Sequence, residues 1–152
     1  MALRKAKSSM RVRIKRFDKE LPLPKRETEG AAAFDLRARE KVEIPPGEVR
    51  LVPLNVAVET PPEHFLLIAA RSSTHKKGLM MANGLAIGDP DFSGDGDEYH
   101  APLLNFTKKP VVVEKGDRIA QGTFVRHTRA EWDEVEKLEN KTRGGFGTTG
   151  QA

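Results

Sequence analysis

The stretch FLLIAARSSTHKKGL, residues 65–79, decides the fold of this chain. It begins with six apolar residues, a run that has the length of a buried strand. The polar and small residues that follow are typical of the point where a strand ends and the chain turns. The segment therefore predicts a buried strand that ends at Arg71 in a turn.

Further strands are predicted on both sides of this one. Residues 10–15 and 54–58 show the period of two expected of a half-buried strand, the first starting near residue 10. PVVVE at 110–114 and RIAQGTFVR at 118–126 are two more short segments of strand length. Turn signals separate these segments: Pro45-Pro46-Gly47, Pro61-Pro62, the cluster from Gly88 to Gly96, and Lys115-Gly116-Asp117. Strands at this spacing predict an all-β sandwich or barrel.

The composition agrees with many short elements in a single domain. The chain has 152 residues, of which 38% are hydrophobic and 6% aromatic, with 13 glycines and 10 prolines. No apolar run approaches the roughly 20 residues of a membrane-spanning helix, and no apolar segment follows the N-terminal charges. The absence of cysteine excludes disulfides, thiolate metal sites and thiol nucleophiles. It is compatible with a reducing cytoplasm, where we expect the protein.

Three segments are predicted along the chain. Residues 1–9 are a basic N-terminal arm, whose charge favours polyanionic partners, but no aromatic residues are interleaved with it to stack on bases. Residues 10–140 form the β-rich domain, which ends in AEWDEVEKLEN at 130–140, compatible with either a helix or an extended arm. Residues 141–152 are glycine-rich and predict a flexible C-terminal tail, in which Phe146 is the one sizeable apolar group.

The string GDPDFSG at 88–94 is the first candidate for chemistry. Its proline-containing turn places Asp89 and Asp91 at the edge of a loop, where a carboxylate could take a proton from water or meet a metal. The same residues are ordinary members of an acidic, solvated turn. The spacing alone leaves both interpretations open.

The residues after the apolar run are the second candidate. Arg71, Ser72 and Ser73 combine a guanidinium group, two hydroxyls and backbone amides, which together make a reasonable cradle for an oxyanion. Either serine could instead cap a short helical turn. Farther along, GDRIAQ at 116–121 is a tight turn leading into a strand, and its polar side chains suit either the surface or a ligand.

Several kinds of site are excluded or disfavoured. The four histidines lie far apart and never reach metal-ligand spacing, which disfavours a zinc site. Without cysteine, a zinc deaminase of the His/Cys/Cys type is excluded. The sequence has no GxxxxGK[ST] motif, so any handling of a triphosphate does not use a P-loop.

Five segments, taken in order, resemble the five motifs of the trimeric dUTP diphosphatase (dUTPase) family. They are AAAFDLRA at 31–38, RSSTHKKGL at 71–79, NGLAIGDPDFSG at 83–94, GDRIAQ at 116–121 and RGGFGTTG at 143–150. The resemblance implies a jelly-roll-like all-β fold, a distorted barrel or sandwich, assembled as a homotrimer with active sites at the subunit interfaces. It also implies hydrolysis of dUTP to dUMP and pyrophosphate with Mg²⁺ on the triphosphate, and a C-terminal lid that closes over the substrate.

The resemblance further implies roles for individual residues. Asp89 would orient and activate the attacking water and would also meet the deoxyribose 3′-hydroxyl, and Asn83 would read the uracil edge. Phe92, where the family usually has tyrosine, would stack beneath the deoxyribose so that a ribose 2′-hydroxyl clashes. The other implied contacts are Arg71, Ser72, Ser73 and Gln121 on the phosphates, Phe146 over the uracil, Arg143, Thr148 and Thr149 at the γ-phosphate, and Asp35 at the metal through water.

The sequence departs from the family pattern in three places. Gly88 stands where the family prefers isoleucine, and the stretch after Gly94 is about three residues longer than usual, which predicts a reshaped hairpin beside the base. Arg143 lies closer to Phe146 than in the family, so Lys141 competes with it for the γ-phosphate.

Two alternatives accompany this interpretation. A dCTP deaminase, or a bifunctional deaminase and diphosphatase, shares the implied fold, but relies on a glutamate in the strand where this chain has HAPLLN at 100–105, and lacks the GGFG tail. The second alternative is a non-enzymatic module of the same fold whose basic arm binds nucleic acid. The joint presence of Arg71, Asp89 and Gln121 makes a nucleic-acid partner the less favoured expectation.

Overall fold

The computed structural model gives the structure of residues 9–147, which form antiparallel strands joined by turns. The strands are β1 (Ile14–Arg16), β2 (Phe34–Arg37), β3 (Val42–Ile44), β4 (Val49–Pro53), β5 (Val56–Val58), β6 (His64–Ala70), β7 (Leu79–Met81), β8 (Leu85–Gly88), β9 (His100–Asn105), β10 (Val111–Val113) and β11 (Arg118–Arg126). The helical content of these residues is one short 3-10 helix, Thr74–Lys77. The predicted all-β class is confirmed, and the described chain contains no helix with the length and hydropathy to cross a membrane.

Two larger sheets and two strand pairs build the jelly-roll-like sandwich. The four-stranded sheet has the order β2-β11-β6-β8, and the three-stranded sheet has the order β4-β9-β7. Strand β1 pairs with β5, and β10 pairs with β3. One core unites them, and its largest fully buried side chains are Leu36, Ile44, Leu54, Leu66, Ile68, Leu79, Leu103, Val52, Val56, Val113 and Asn105.

Strand β6 is the inner strand that the apolar run at 65–70 predicts. It pairs with β11 along one side and with β8 along the other, so its backbone groups are satisfied from both directions. Leu66 and Ile68 point into the core, whereas Leu67 between them is only partly buried. The alternation follows from the period of two of a strand.

The predicted turns separate the strands as expected. Gly47 follows β3 with φ 71°, and Gly116 follows β10 with φ 88°, a left-handed conformation that glycine adopts without strain. The segments at 110–114 and 118–126 form β10 and β11. The first strand begins at Ile14 rather than near residue 10, because its partner β5 ends at Val58 and two prolines soon follow.

Residues after β11 contain neither helix nor strand up to residue 147. A helix over 130–140 is therefore wrong, and the extended arm, the other interpretation, agrees with the structure. The reason is the lack of a packing surface: Trp132 is 93% exposed and Leu138 is 78% exposed, so no apolar face rewards helix formation.

Asn105, at the end of β9, joins the three-stranded sheet to the β10–β3 pair from a fully buried position. Its Nδ2 donates to the carbonyl oxygens of Ile44 and Lys109 at 2.9 and 2.7 Å, and its Oδ1 accepts from the backbone N–H of Thr107 at 2.8 Å. A buried amide that meets several backbone groups at once fixes the loop between β9 and β10.

Replacing Asn105 with alanine should lower the free energy of unfolding by about 2–3 kcal/mol, since buried backbone groups lose their partners. Denaturant unfolding at matched protein concentration measures the change. Lys108→Ala, an exposed change in the same loop, is the control and should be close to neutral. An equally stable Asn105→Ala variant would show that the amide network does not hold this corner.

Candidate active site

Two arginines and one aspartate form a cluster where β2, β6 and β11 meet. Asp35 lies in β2, Arg71 directly follows β6, and Arg118 opens β11. Arg71 Nε donates to Asp35 Oδ1 and Arg118 Nη1 donates to Asp35 Oδ2, both at 3.1 Å. Arg71 Nη1 also donates to the carbonyl oxygen of Arg118 at 3.2 Å. The strand register brings the three residues together although they lie far apart in sequence.

The geometry of this cluster suits an anion. The side chain of Asp35 is 13% exposed and that of Arg71 is 23% exposed, so the pair is largely buried but still accessible to a ligand. A guanidinium group has five N–H donors, and the contacts of Arg71 leave some of them for a ligand. Charge-assisted bonds from a guanidinium held in place are the strong kind. The cluster is therefore a competent oxyanion cradle.

The two serines lie beside Arg71. Ser72 is exposed, and Ser73 occupies the N-cap position of the 3-10 helix without a capping bond from its side chain. Gln121 reaches the same edge from β11, where it pairs with Asp35, and its Nε2 donates to the carbonyl oxygen of Ala70 at 3.0 Å. The predicted phosphate contacts thus come together around one sheet edge.

The acidic turn lies elsewhere. Asp89 directly follows β8 and is exposed, and its carbonyl oxygen accepts from the N–H of Phe92 at 3.1 Å, which closes the turn. Asp89 and Asp91 line an open cleft together with His127 and Arg129 from the segment after β11. His127 and Arg129 were not predicted as site residues, because no local pattern indicates where the chain runs after its final strand.

The two clusters lie at opposite ends of one strand. Gly88 pairs with Leu66 near the start of β6, whereas Arg71 follows its last residue. Asp89 thus lies beside the start of β6, six residues along that strand from Arg71. At a rise of roughly 3.3 Å per residue, the separation is about 20 Å. Asn83 lies in the turn before β8, so that strand also stands between Asn83 and Asp89. A single chain does not bring all the predicted residues together.

The acidic turn is backed by Tyr99, which sequence reasoning missed. Tyr99 is 6% exposed, and its ring meets that of Phe92 edge-on, with 5.1 Å between the ring centroids. A Cβ atom on Gly88 would lie 2.3 Å from the Tyr99 hydroxyl oxygen, so any larger residue there would displace the ring. The departure at Gly88 therefore has a steric cause. The alternation of Tyr99, Ala101 and Leu103 was the signal that could have placed Tyr99 inside.

The longer stretch after Gly94 folds into a tight turn. The backbone N–H of Gly94 donates to Asp97 Oδ2 at 2.7 Å, and Lys15 Nζ lies 2.7 Å from Asp95 Oδ2. Glu98 then turns inward and accepts from Arg39 Nε at 2.8 Å. This hydrogen bond raises the pKa of Arg39. The stretch is anchored to β1 and to the core on its two sides.

The tail residues are exposed where they are described. Lys141, Arg143 and Phe146 lie on the exposed arm, and Phe146 has a φ of 50°. Thr148 and Thr149 lie outside the described residues. Within residues 9–147, no three histidine or acidic side chains converge on a point that could hold a metal ion.

Fold and site together define an all-β protein with a cluster of two arginines around Asp35 and a separate exposed acidic turn. The model of the dUTPase family matches residues 19–150. The chain belongs to the dUTPase family.

Curated relatives of similar length agree. A deoxyuridine 5′-triphosphate nucleotidohydrolase from Anaeromyxobacter sp. is 43% identical over 134 residues, which cover 86% of this chain and 89% of that protein. The protein of the same name from Dictyoglomus turgidum is 37% identical over 148 residues, covering 93% and 99%.

Solved structures share the fold. The dUTPase from Streptococcus mutans is 31% identical with a TM-score of 0.71, covering 78% of this chain and 98% of that one. A dUTPase variant from Staphylococcus bacteriophage 80alpha, solved with dUpNHpp, reaches a TM-score of 0.80 at 21% identity, covering 93% and 99%. At that identity the likeness shows the fold alone.

Tyr99 should titrate above the ordinary tyrosine range in the folded protein. Burial raises the pKa of Tyr99, the nearby Thr60 hydroxyl opposes this, and the charges of Asp89 and Asp97 add to it. Because the folded pKa is raised, the stability linked to Tyr99 is complete below about pH 10, the unfolded value, and is lost as the pH rises through the folded pKa.

Phenolate absorbance measures this directly, since Tyr99 is the one tyrosine of the chain. The native protein should titrate later than the same protein in denaturant, and Tyr99→Phe should give no signal. Equal titration of the native and denatured protein would mean that the hydroxyl is open to water.

Proposed function

We propose that this chain hydrolyses dUTP to dUMP and pyrophosphate at a site shared between copies of the chain. The observation that carries the proposal is the Asp35–Arg71–Arg118 cluster, which presents guanidinium donors at the sheet edge of a dUTPase-family chain. Membership of the family and the names of the curated relatives support the substrate.

The arginine cluster binds the triphosphate. Arg71 supplies directed positive charge, and Ser72, Ser73 and Gln121 add hydrogen-bond donors around it. Asp35 holds the guanidinium group of Arg71 in place before substrate arrives. Donors fixed in advance stabilise the charge that builds up on the phosphates in the transition state, which is the usual dominant effect in phosphoryl chemistry.

Asp89 activates the water. Its carboxylate accepts a proton from the water as the water oxygen bonds to the α-phosphorus. The bond from the α-phosphorus to the oxygen that bridges to the β-phosphorus breaks, and pyrophosphate leaves. Phe92 lies under the deoxyribose and leaves no space for a 2′-hydroxyl. Asn83 and the hairpin backbone read the uracil edge, and cytosine is disfavoured because its exocyclic donor leaves buried groups unpaired.

The separation of Asp89 from Arg71 supports a site made by two chains. The rise per residue of β6 puts Asp89 about 20 Å from Arg71. A water activated at Asp89 could therefore not reach a substrate phosphate bound at the arginine cluster of the same chain. A neighbouring copy that brings its own Asp89 to the arginine cluster of the first chain resolves the mismatch.

Exposed apolar side chains support the association. On the three-stranded sheet, Leu51 is 64% exposed beside Val49 and Met80, and on the four-stranded sheet Leu85 and Ile87 are exposed. Patches of this kind mark protein interfaces. Two different patches on one chain suit head-to-tail contacts between copies, which close into a cyclic assembly of subunits. We propose that this cyclic assembly is the homotrimer of the family.

The C-terminal arm closes the site as a lid. Phe146 lies over the uracil ring, and Arg143 or its competitor Lys141 reaches the γ-phosphate with Thr148 and Thr149. On this proposal residues 141–152 are a lid on the domain at 10–140, and residues 1–9 are a separate basic arm. A lid that orders only on substrate agrees with the exposure of Phe146.

Mg²⁺ is the proposed cofactor, held mainly by the triphosphate. Both oxygens of Asp35 accept bonds from arginines, so this carboxylate is suited to a metal-bound water rather than to direct ligation. The ion would neutralise phosphate charge and orient the triphosphate. Asp35 would thus hold Arg71 on one side and the hydration shell on the other.

The alternatives are less favoured. Strand β9, His100–Asn105, contains no glutamate for a deaminase, and Glu98 just before it is engaged by Arg39. The family and its curated relatives are named for the nucleotidohydrolase, not for nucleic-acid binding. We propose that the enzyme works in the cytoplasm. A chain without cysteine forms no disulfides and is therefore compatible with that reducing environment.

The decisive assay is incubation with dUTP, dCTP, dTTP and UTP in the presence of Mg²⁺, with product analysis. Pyrophosphate and dUMP should come from dUTP alone. Asp89→Asn should reduce turnover by about a hundredfold or more while dUTP binding remains. Asp91→Asn, in the same exposed turn, is the matched control. Ammonia from dCTP, or full activity of the Asp89 variant, would overturn the assignment.

Mixing two inactive variants tests the shared site. Chains carrying Arg71→Ala and chains carrying Asp89→Asn are unfolded together in equal amounts and refolded. A site that takes Arg71 from one chain and Asp89 from another is intact in about one quarter of random pairings, so about a quarter of wild-type activity should return. Each variant refolded alone is the control. Activity no higher than the parents would place both residues in one chain.

A further inference from the structure

The turn that carries Asp89 and Phe92 has an aromatic support beneath it. The ring of Tyr99 meets the ring of Phe92 edge-on at 5.1 Å and stands against Gly88, the residue just before Asp89. Tyr99 is buried at the start of β9, whereas Phe92 is 40% exposed. One buried ring therefore touches both ends of the turn, and the exposed ring rests on it.

The backbone of Tyr99 cannot move freely. Its N–H donates to the carbonyl oxygen of Val56 at 3.0 Å, and its carbonyl oxygen accepts from the N–H of Leu54 at 2.8 Å. These bonds fix Tyr99 to the segment around β5. The support is anchored in the core, while the ring that it supports faces solvent.

The ring of Tyr99 contacts Phe92, and the ring and its hydroxyl oxygen together fill the space beside Gly88. Neither the Tyr99 hydroxyl nor the nearby Thr60 hydroxyl has a hydrogen-bond partner of good geometry among the described residues. A buried hydroxyl without a partner lowers stability, because it has lost its hydrogen bonds to water. The edge-on aromatic contact, in contrast, is favourable and directional.

We propose that Tyr99 is a positioning residue that sets how strictly the enzyme rejects ribonucleotides. This inference rests on the proposed function, in which Phe92 excludes the 2′-hydroxyl. A ring that rejects one oxygen atom must be held in place, because a small shift opens the space that the atom needs. In this chain Phe92 has no phenol oxygen to tether it, and Tyr99 supplies the restraint by packing.

The test compares kcat/KM for dUTP with kcat/KM for UTP in the full-length protein. Tyr99→Leu should lower the ratio by about tenfold or more, chiefly through faster UTP turnover, since discrimination of this size is typical of packing in a pocket. Tyr99→Phe retains the ring and should keep the ratio within about twofold. Phe124→Leu, which breaks the Phe34–Phe124 ring contact of 6.0 Å, is the matched control for loss of an aromatic pair and should keep the ratio.

Gly88→Ala provides a second route to the same result. The added Cβ displaces the Tyr99 ring, so the ratio should fall in the wild-type background. Combined with Tyr99→Leu, the alanine should cause little further loss, because the clash is gone. Independent effects of the two changes would contradict a contact between them.

The outcomes separate this inference from the proposed function. A wild-type chain that hydrolyses dUTP and rejects UTP, with a Tyr99→Leu variant that folds and keeps the same ratio, would overturn the inference alone. A wild-type chain without dUTP turnover would overturn both. If Tyr99→Leu does not fold, the ratio of Gly88→Ala decides: a fall supports the inference, and an unchanged ratio overturns it.

Discussion

Strand β6 is the constraint on which the rest of the site depends, because it is paired along both edges and cannot bend to bring its ends together. Arg71 leaves one end of it, and the turn with Asp89 lies beside the other. The pairing that makes the core rigid thus divides the predicted catalytic residues into two groups. Within one chain the division has no remedy, so chemistry that needs both groups needs another copy. On the proposed function, the strand pairing that stabilises the sandwich is also the reason that the site takes residues from a second copy.

Within the first group, one carboxylate organises two positive charges. Asp35 accepts from Arg71 and from Arg118 with similar geometry, so the two guanidinium groups are oriented before any anion binds. Without Asp35 the arginines would repel each other and sample many rotamers. The cost of ordering them is thereby met in folding rather than in binding. On the proposed function, such a cradle stabilises the transition state without rearrangement.

Local sequence predicted the individual strands better than it predicted how the strands pair and which side chains they bring together. The run at 65–70 and the segment at 118–126 are strands because period, length and flanking turn residues all agree. The Asp35 cluster depends on the register between β2, β6 and β11, which no local pattern contains. Of this cluster, the family resemblance assigns roles to Asp35 and Arg71, because it carries that long-range knowledge. The sequence leaves Arg118 open as either a surface residue or a ligand contact. The segment at 130–140 remained ambiguous for the same reason, since its apolar side chains are exposed in the described part of the chain.

Gly88 and Tyr99 show how a departure in sequence can be structural compensation. A glycine before Asp89 suggests a loose turn when it is considered alone, because glycine permits more conformations. In the structure its φ is not in the left-handed region, and the Tyr99 ring occupies the space of the missing side chain. A buried aromatic ring thus takes the volume that an aliphatic residue at position 88 would fill. The same ring contacts Phe92, so one buried residue supports the turn both at Gly88 and at Phe92.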